Sequence, residues 1–115
     1  MAEVQKTYAM VIGAVLLLVG LLGFVMSSPL LGLFGVNTLQ NVLHLIGGAL
    51  GLYFGYKGGA KNFNLGLGAV ALVVAVLGFV TPDLLAQMLN INMATTWLHV
   101  LIGVTAVGVG YFVKD

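Results

Sequence analysis

The sequence predicts an all-α integral membrane protein, a four-helix bundle of two tandem two-helix repeats in parallel orientation, with a pseudo-two-fold axis along the membrane normal. Three observations lead there. Of 115 residues, 61% are hydrophobic and 6% charged. A water-facing domain needs roughly a quarter of its residues charged, so lipid must solvate most of this surface. Four apolar segments also reach the length of about 20 residues that a hydrocarbon core about 30 Å thick demands. Finally, the chain matches itself at an offset of 55 residues. The whole, 1–115, reads as a single transmembrane domain.

The first helix is expected near 5–26. Its apolar run from Tyr8 to Met26 exceeds the ~7–15 residues of a secretory signal core and is followed by no A-x-A cleavage site, so it reads as a retained span. The second is expected near 38–57, opening at Asn37, with Gln40 three residues on as a capping-box-like partner. The third is expected near 62–81. The fourth, near 94–113, opens at Asn92, the matching cap. The connecting stretches 27–37 and 82–93 are apolar and carry a single charge, Asp83. They are expected to lie in the headgroup boundary as short helices or to fold back over the bundle.

The repeat sets residues 10–57 on 65–112 without a gap, and 16 of 48 positions are identical, where composition alone gives roughly five. Gly13-Ala14-Val15 falls on Gly68-Ala69-Val70, and Leu22-Gly23-Phe24-Val25 on Leu77-Gly78-Phe79-Val80. Asn37 falls on Asn92, His44 on His99, Gly48 on Gly103, and Gly55-Tyr56 on Gly110-Tyr111. Two spans return the chain to its starting side, so both copies point the same way.

Lys6, Lys57, Lys61 and Lys114 flank one side of the four spans. Positive residues stay inside, which places the protein in the cell membrane with both termini cytoplasmic. A net charge of +1 and the lack of a basic stripe argue against nucleic acid. There are no cysteines, which removes disulfides, thiolate metal sites and thiol catalysis.

Stepping by three and four from each cap marks one polar-to-small face. On the second helix it holds Asn37, Asn41, His44, Gly48, Gly51 and Gly55; on the fourth, Asn92, Thr96, His99, Gly103, Ala106 and Gly110. Gly68, Ala71, Ala75 and Gly78 form a seam on the third helix, and Gly13, Gly20 and Gly23 on the first. Small residues at such spacing let helix backbones approach in lipid. Asn37, Asn92, Asn41, Thr96, Gly48 and Gly103 are therefore read as capping and packing residues.

His44 and His99 are the only ionisable groups well inside a span, each roughly 10 Å below its helix start. One reading is a neutral imidazole donating a hydrogen bond across the packing, to Asn41, a threonine or a backbone carbonyl. The other is a bis-histidine site holding haem b or a metal ion, with Gly48 and Gly103 one turn below leaving room for a macrocycle. Against haem, the outer side has no Lys or Arg for propionates. Against a metal, two imidazoles fall short of the three or four ligands of zinc. Met26, Met88 and Met93 would be needed as soft copper(I) donors. No catalytic carboxylate pair and no serine triad is present, so no enzyme is expected. A small transporter or channel would need an ionisable relay or an oligomeric pore. The favoured function is a structural or interaction bundle, with the lipid bilayer as surroundings and a homo-oligomer or a partner membrane subunit as associate.

The stretch Val36-Asn37-Thr38-Leu39-Gln40-Asn41-Val42-Leu43-His44-Leu45, the later Trp97-Leu98-His99-Val100-Leu101-Ile102-Gly103, and Leu21-Leu22-Gly23-Phe24-Val25 resemble the small bacterial and archaeal membrane proteins of domain-of-unknown-function family 4383. The resemblance covers nearly the whole chain and implies four helices with no assigned activity. Members commonly carry a histidine where Gln40 stands and an Asp-Asn pair where Thr95-Thr96 stand. These departures favour a packing role for the polar face, while His44, His99, Asn37 and Trp97 match.

Overall fold

The computed structural model describes residues 2–26 and 35–113, so most of the first apolar connection, 27–34, lies outside the described residues. The described residues form five α-helices: α1 Ala2–Val25, α2 Thr38–Lys57, α3 Ala60–Val80, α4 Pro82–Leu89 and α5 Met93–Phe112.

The helices are inside-out by the standards of a water-soluble protein. On α1, Gln5, Ala9, Gly13, Leu16 and Gly20 form the buried line, whereas Val11, Val15, Leu18 and Leu21 face outward. On α3 the buried line is Ala60, Asn64, Gly68, Ala71, Ala75 and Gly78. Buried polar residues and an apolar exterior are stable only where the surrounding medium is itself apolar.

Two features of the helices bear on the four-helix expectation. First, the apolar stretch 82–93, expected to form a short helix or to fold back over the bundle, forms a short fifth helix, α4. Pro82 starts it, since proline at the first helical position loses no needed donor, and Asn90 ends it in the left-handed conformation at φ 55°. Second, three helices, at Glu3–Val25, Ala60–Val80 and Met93–Phe112, are long and apolar enough to cross a membrane. The remaining long helix, α2, has 20 residues, but Gln40, Asn41 and His44 in its first two turns lower its mean hydropathy.

The α2–α3 turn is made by Gly58 and Gly59 at φ 118° and 92°, conformations that strain any residue with a Cβ. The Gly58 N–H closes on the Phe54 carbonyl at 3.0 Å. This tight reversal brings Ala60, the start of α3, directly beside the end of α2.

The most extensive packing is α1 on α2 and α3 on α5, with α1–α3, α2–α3 and α1–α5 contacts joining the pairs. Glycine seams make both close pairs possible. A Cβ added at Gly13 would lie 2.9 Å from the Gly48 carbonyl oxygen and the Leu52 nitrogen; one at Gly68 would lie 3.0 Å from the Gly103 carbonyl oxygen and 2.7 Å from the Val107 nitrogen. Each partner in the second set stands 55 positions after its counterpart in the first.

Candidate functional site

The polar ends of α2 and α5 form the most chemically varied region. Asn37 caps α2, its Oδ1 accepting from the Gln40 N–H at 2.8 Å, and Asn92 caps α5, accepting from the Thr95 N–H at 2.9 Å. Each satisfies a donor that the helix start leaves free. Asn37→Ala and Asn92→Ala are each expected to lower stability by about 1 kcal/mol, checked by thermal unfolding in mild detergent.

Around these caps the halves are stitched together. Gln40 Nε2 donates to the carbonyls of Gly35 at 2.9 Å and Leu89 at 2.8 Å, and Thr95 Oγ1 donates to the same Gly35 carbonyl at 3.3 Å. Asn37 Nδ2 reaches the Met88 carbonyl and Asn90 Nδ2 the Val36 carbonyl. Gln40, Asn41, Thr95 and Thr96 are all buried. Asn41 and Thr96 fill the space left by Gly23 and Gly78 respectively, where any Cβ would collide with them.

One turn deeper, His44 and His99 are half-buried. The Nδ1 of each is enclosed and has no hydrogen-bond partner. The expected bond across the packing to Asn41, a threonine or a carbonyl is therefore not made by that atom. Gln40 Oε1 and Asn41 Oδ1 are likewise enclosed and unpartnered, so four such atoms belong to the first two turns of α2 and α5. Buried polar groups are ordinarily satisfied, which makes the cluster the strongest candidate site.

The room expected beside Gly48 and Gly103 is already taken. A Cβ at Gly48 would meet the Leu17 nitrogen and the Gly13 carbonyl oxygen at 2.6 Å, and one at Gly103 would meet Leu72 Cγ at 2.6 Å. These glycines seat neighbouring helices and leave no slot for a macrocycle. Met26, Met88 and Met93 are exposed at the surface. Among the described residues no group of three or more His, Cys, Asp or Glu comes together to hold a metal ion. An open cleft of about 400 Å³ beside this end is lined by Gly78, Asp83, Asn90 and Thr96 among others, and by neither histidine.

A second polar knot, at the opposite end, escaped the sequence reading. Asn64 Nδ2 donates to the Gln5 carbonyl at 3.1 Å and to Gln5 Oε1 at 3.0 Å, and Gln5 Nε2 donates to the carbonyls of Val109 and Val113 at 2.7 and 2.8 Å. Nearby, the Tyr8 hydroxyl lies 2.7 Å from Thr105 Oγ1, a further tie between α1 and α5. Gln5 and Asn64 both lie just outside the matched ranges 10–57 and 65–112, so the repeat carried no signal for the knot.

A family model described as Domain of unknown function (DUF4383) matches residues 6–112. No curated protein and no solved structure matches the chain.

Proposed function

The chain belongs to the family of domain of unknown function DUF4383, and on that footing we propose that it is a four-span membrane bundle of two tandem helix pairs, serving as a structural or interaction component of the cell membrane and not as an enzyme. The observation that carries this reading is the filling of the small-residue seams. Gly13, Gly48, Gly68 and Gly103 each face the partner helix so closely that a Cβ would clash. Helices packed to backbone contact leave no lumen between them for flux.

The matched contacts of Gly13 with Gly48 and of Gly68 with Gly103 support the tandem arrangement. The fourth span would be α2. Its exposed residues include Leu39, Val42, Leu43, Ile46, Leu50 and Tyr53, an apolar outer face along most of the helix, while Gln40, Asn41, Gly48, Gly51 and Gly55 are buried. Mean hydropathy averages over both faces, but lipid meets the outer one. The lysines at 6, 57, 61 and 114 support cytoplasmic termini.

Mass measurement of the protein in mild detergent tests the interaction role. A homo-oligomer, or a co-purifying membrane subunit in defined stoichiometry, is expected. A strict monomer without a partner would remove the interaction role.

The unpartnered Nδ1 atoms of His44 and His99 favour a second reading, in which the two imidazoles hold a small ligand. With the glycine slots closed, a metal ion or a bridging water fits better than haem b. Two imidazoles leave a metal ion needing further donors, and Gln40 Oε1 and Asn41 Oδ1 are the enclosed oxygens at this end without partners. An absorption spectrum with haem supplementation, together with elemental analysis of the purified protein, decides between the readings. A colourless protein free of copper and zinc ends the cofactor reading.

A further inference from the structure

The end of the molecule opposite the histidines carries an open cleft of about 390 Å³ at the α2–α3 turn, within the size range of small-ligand sites. Three lysines from three helices line it: Lys6 of α1, Lys57 in the last turn of α2, and Lys61 in the first turn of α3. Lys61 is half-buried, while Lys6 and Lys57 are exposed. The acidic residues among the described ones, Glu3 and Asp83, do not line the cleft. Three cations gathered without an acid in the wall repel one another unless an anion joins them.

The backbone adds to this field. Gly59 precedes α3 in the left-handed conformation and offers no side-chain cap. No side chain of its own cap therefore competes for the N–H groups of the first turn of α3. Free N–H groups at a helix start, with the positive end of the helix dipole, favour an anion. Gly55 also lets α1 lie against α2 here, since a Cβ at that position would collide with Met10 Cγ of α1. Lys57 in turn has its ammonium 5.5 Å from the Tyr56 ring centre.

We propose that this cleft binds a phosphoryl anion, with Lys6, Lys57 and Lys61 neutralising its charge and the start of α3 supplying N–H donors. The chemistry is shared by an anionic lipid headgroup and by free phosphate. Basic pockets between helices at a membrane surface are suited to the former.

Native mass spectrometry of the intact protein, titrated with phosphatidylglycerol or with inorganic phosphate, separates the sources. Phosphatidylcholine serves as the neutral control. Phosphatidylglycerol is expected to be retained over phosphatidylcholine, and the combined Lys6→Gln, Lys57→Gln, Lys61→Gln variant to lose roughly 100-fold in affinity. The matching Lys→Arg variant should keep binding, which guards against loss by misfolding. Lysine-dependent binding of inorganic phosphate alone would assign the cleft to a free anion. Equal retention of both lipids, or binding unchanged in the glutamine variant, with no lysine-dependent response to phosphate, overturns the proposal.

Discussion

Gly48→Ala is expected to destabilise the protein by about 2–3 kcal/mol, because the added methyl meets backbone that cannot rotate away. Its Cβ would lie 2.6 Å from the Gly13 carbonyl oxygen and the Leu17 nitrogen, so α1 and α2 must part along their length to admit it. The same substitution gains about 1 kcal/mol of helix propensity, and the clash outweighs that gain. Gly66 and Gly108 supply the contrast, since a Cβ at either meets nothing within 4 Å. Gly66→Ala and Gly108→Ala are expected to be neutral or stabilising by about 0.5–1 kcal/mol. Unfolding of all three variants by a denaturing detergent in mixed micelles reads the difference. A Gly48→Ala variant as stable as Gly66→Ala would mean that the α1–α2 seam is not closed.

Loss of the Gln5–Asn64 knot should produce the next largest effect. Asn64 is 0% exposed and Gln5 1%, so Asn64→Ala leaves the Gln5 Oε1 without its donor in a dry interior, at a cost of about 2 kcal/mol. Gln5→Ala removes the same contact from the other side, together with the bonds to the Val109 and Val113 carbonyls that tie α1 to the end of α5. The double variant is expected to be less destabilised than the sum of the two single variants, by about 1 kcal/mol. Strict additivity in the same unfolding measurement would show that the two side chains do not act together.

These two sites differ in how far the sequence revealed them. The all-helical fold with long apolar helices was legible, because composition alone excludes a water-solvated surface. The small residues at Gly68, Ala71, Ala75 and Gly78 lie in the buried line of α3, since in lipid small side chains mark close backbone approach. The Gln5–Asn64 knot was not legible from spacing. Gln5 sits near a helix start, where a polar residue ordinarily faces the headgroups, and its burial depends on α3 and α5 arriving beside it.

At the opposite end, the cap role of Asn37 followed from its place before an apolar run with Gln40 three residues on. What Gln40 does with its own amide did not follow. Its bonds to the Gly35 and Leu89 carbonyls require the two inter-helix segments to meet, a long-range fact that local pattern cannot carry. The histidines were found by their rarity and depth. That their Nδ1 atoms lack partners, and that Gly48 and Gly103 are filled by neighbouring helices, needed three-dimensional packing.

The proposed bundle rests most heavily on α2 being a fourth span, because three spans would put the termini on opposite sides of the membrane. The chain has no cysteine, so single cysteines report without background. Glu3→Cys, Lys57→Cys, Met88→Cys and Phe112→Cys place one thiol near each helix end that matters, and all four positions are exposed. Labelling intact cells with a membrane-impermeant maleimide, before and after permeabilisation, reads the side of each. The four-span bundle predicts that Met88→Cys reacts in intact cells, while Glu3→Cys, Lys57→Cys and Phe112→Cys react only after permeabilisation. Reaction of Glu3→Cys and Phe112→Cys from opposite sides would contradict it.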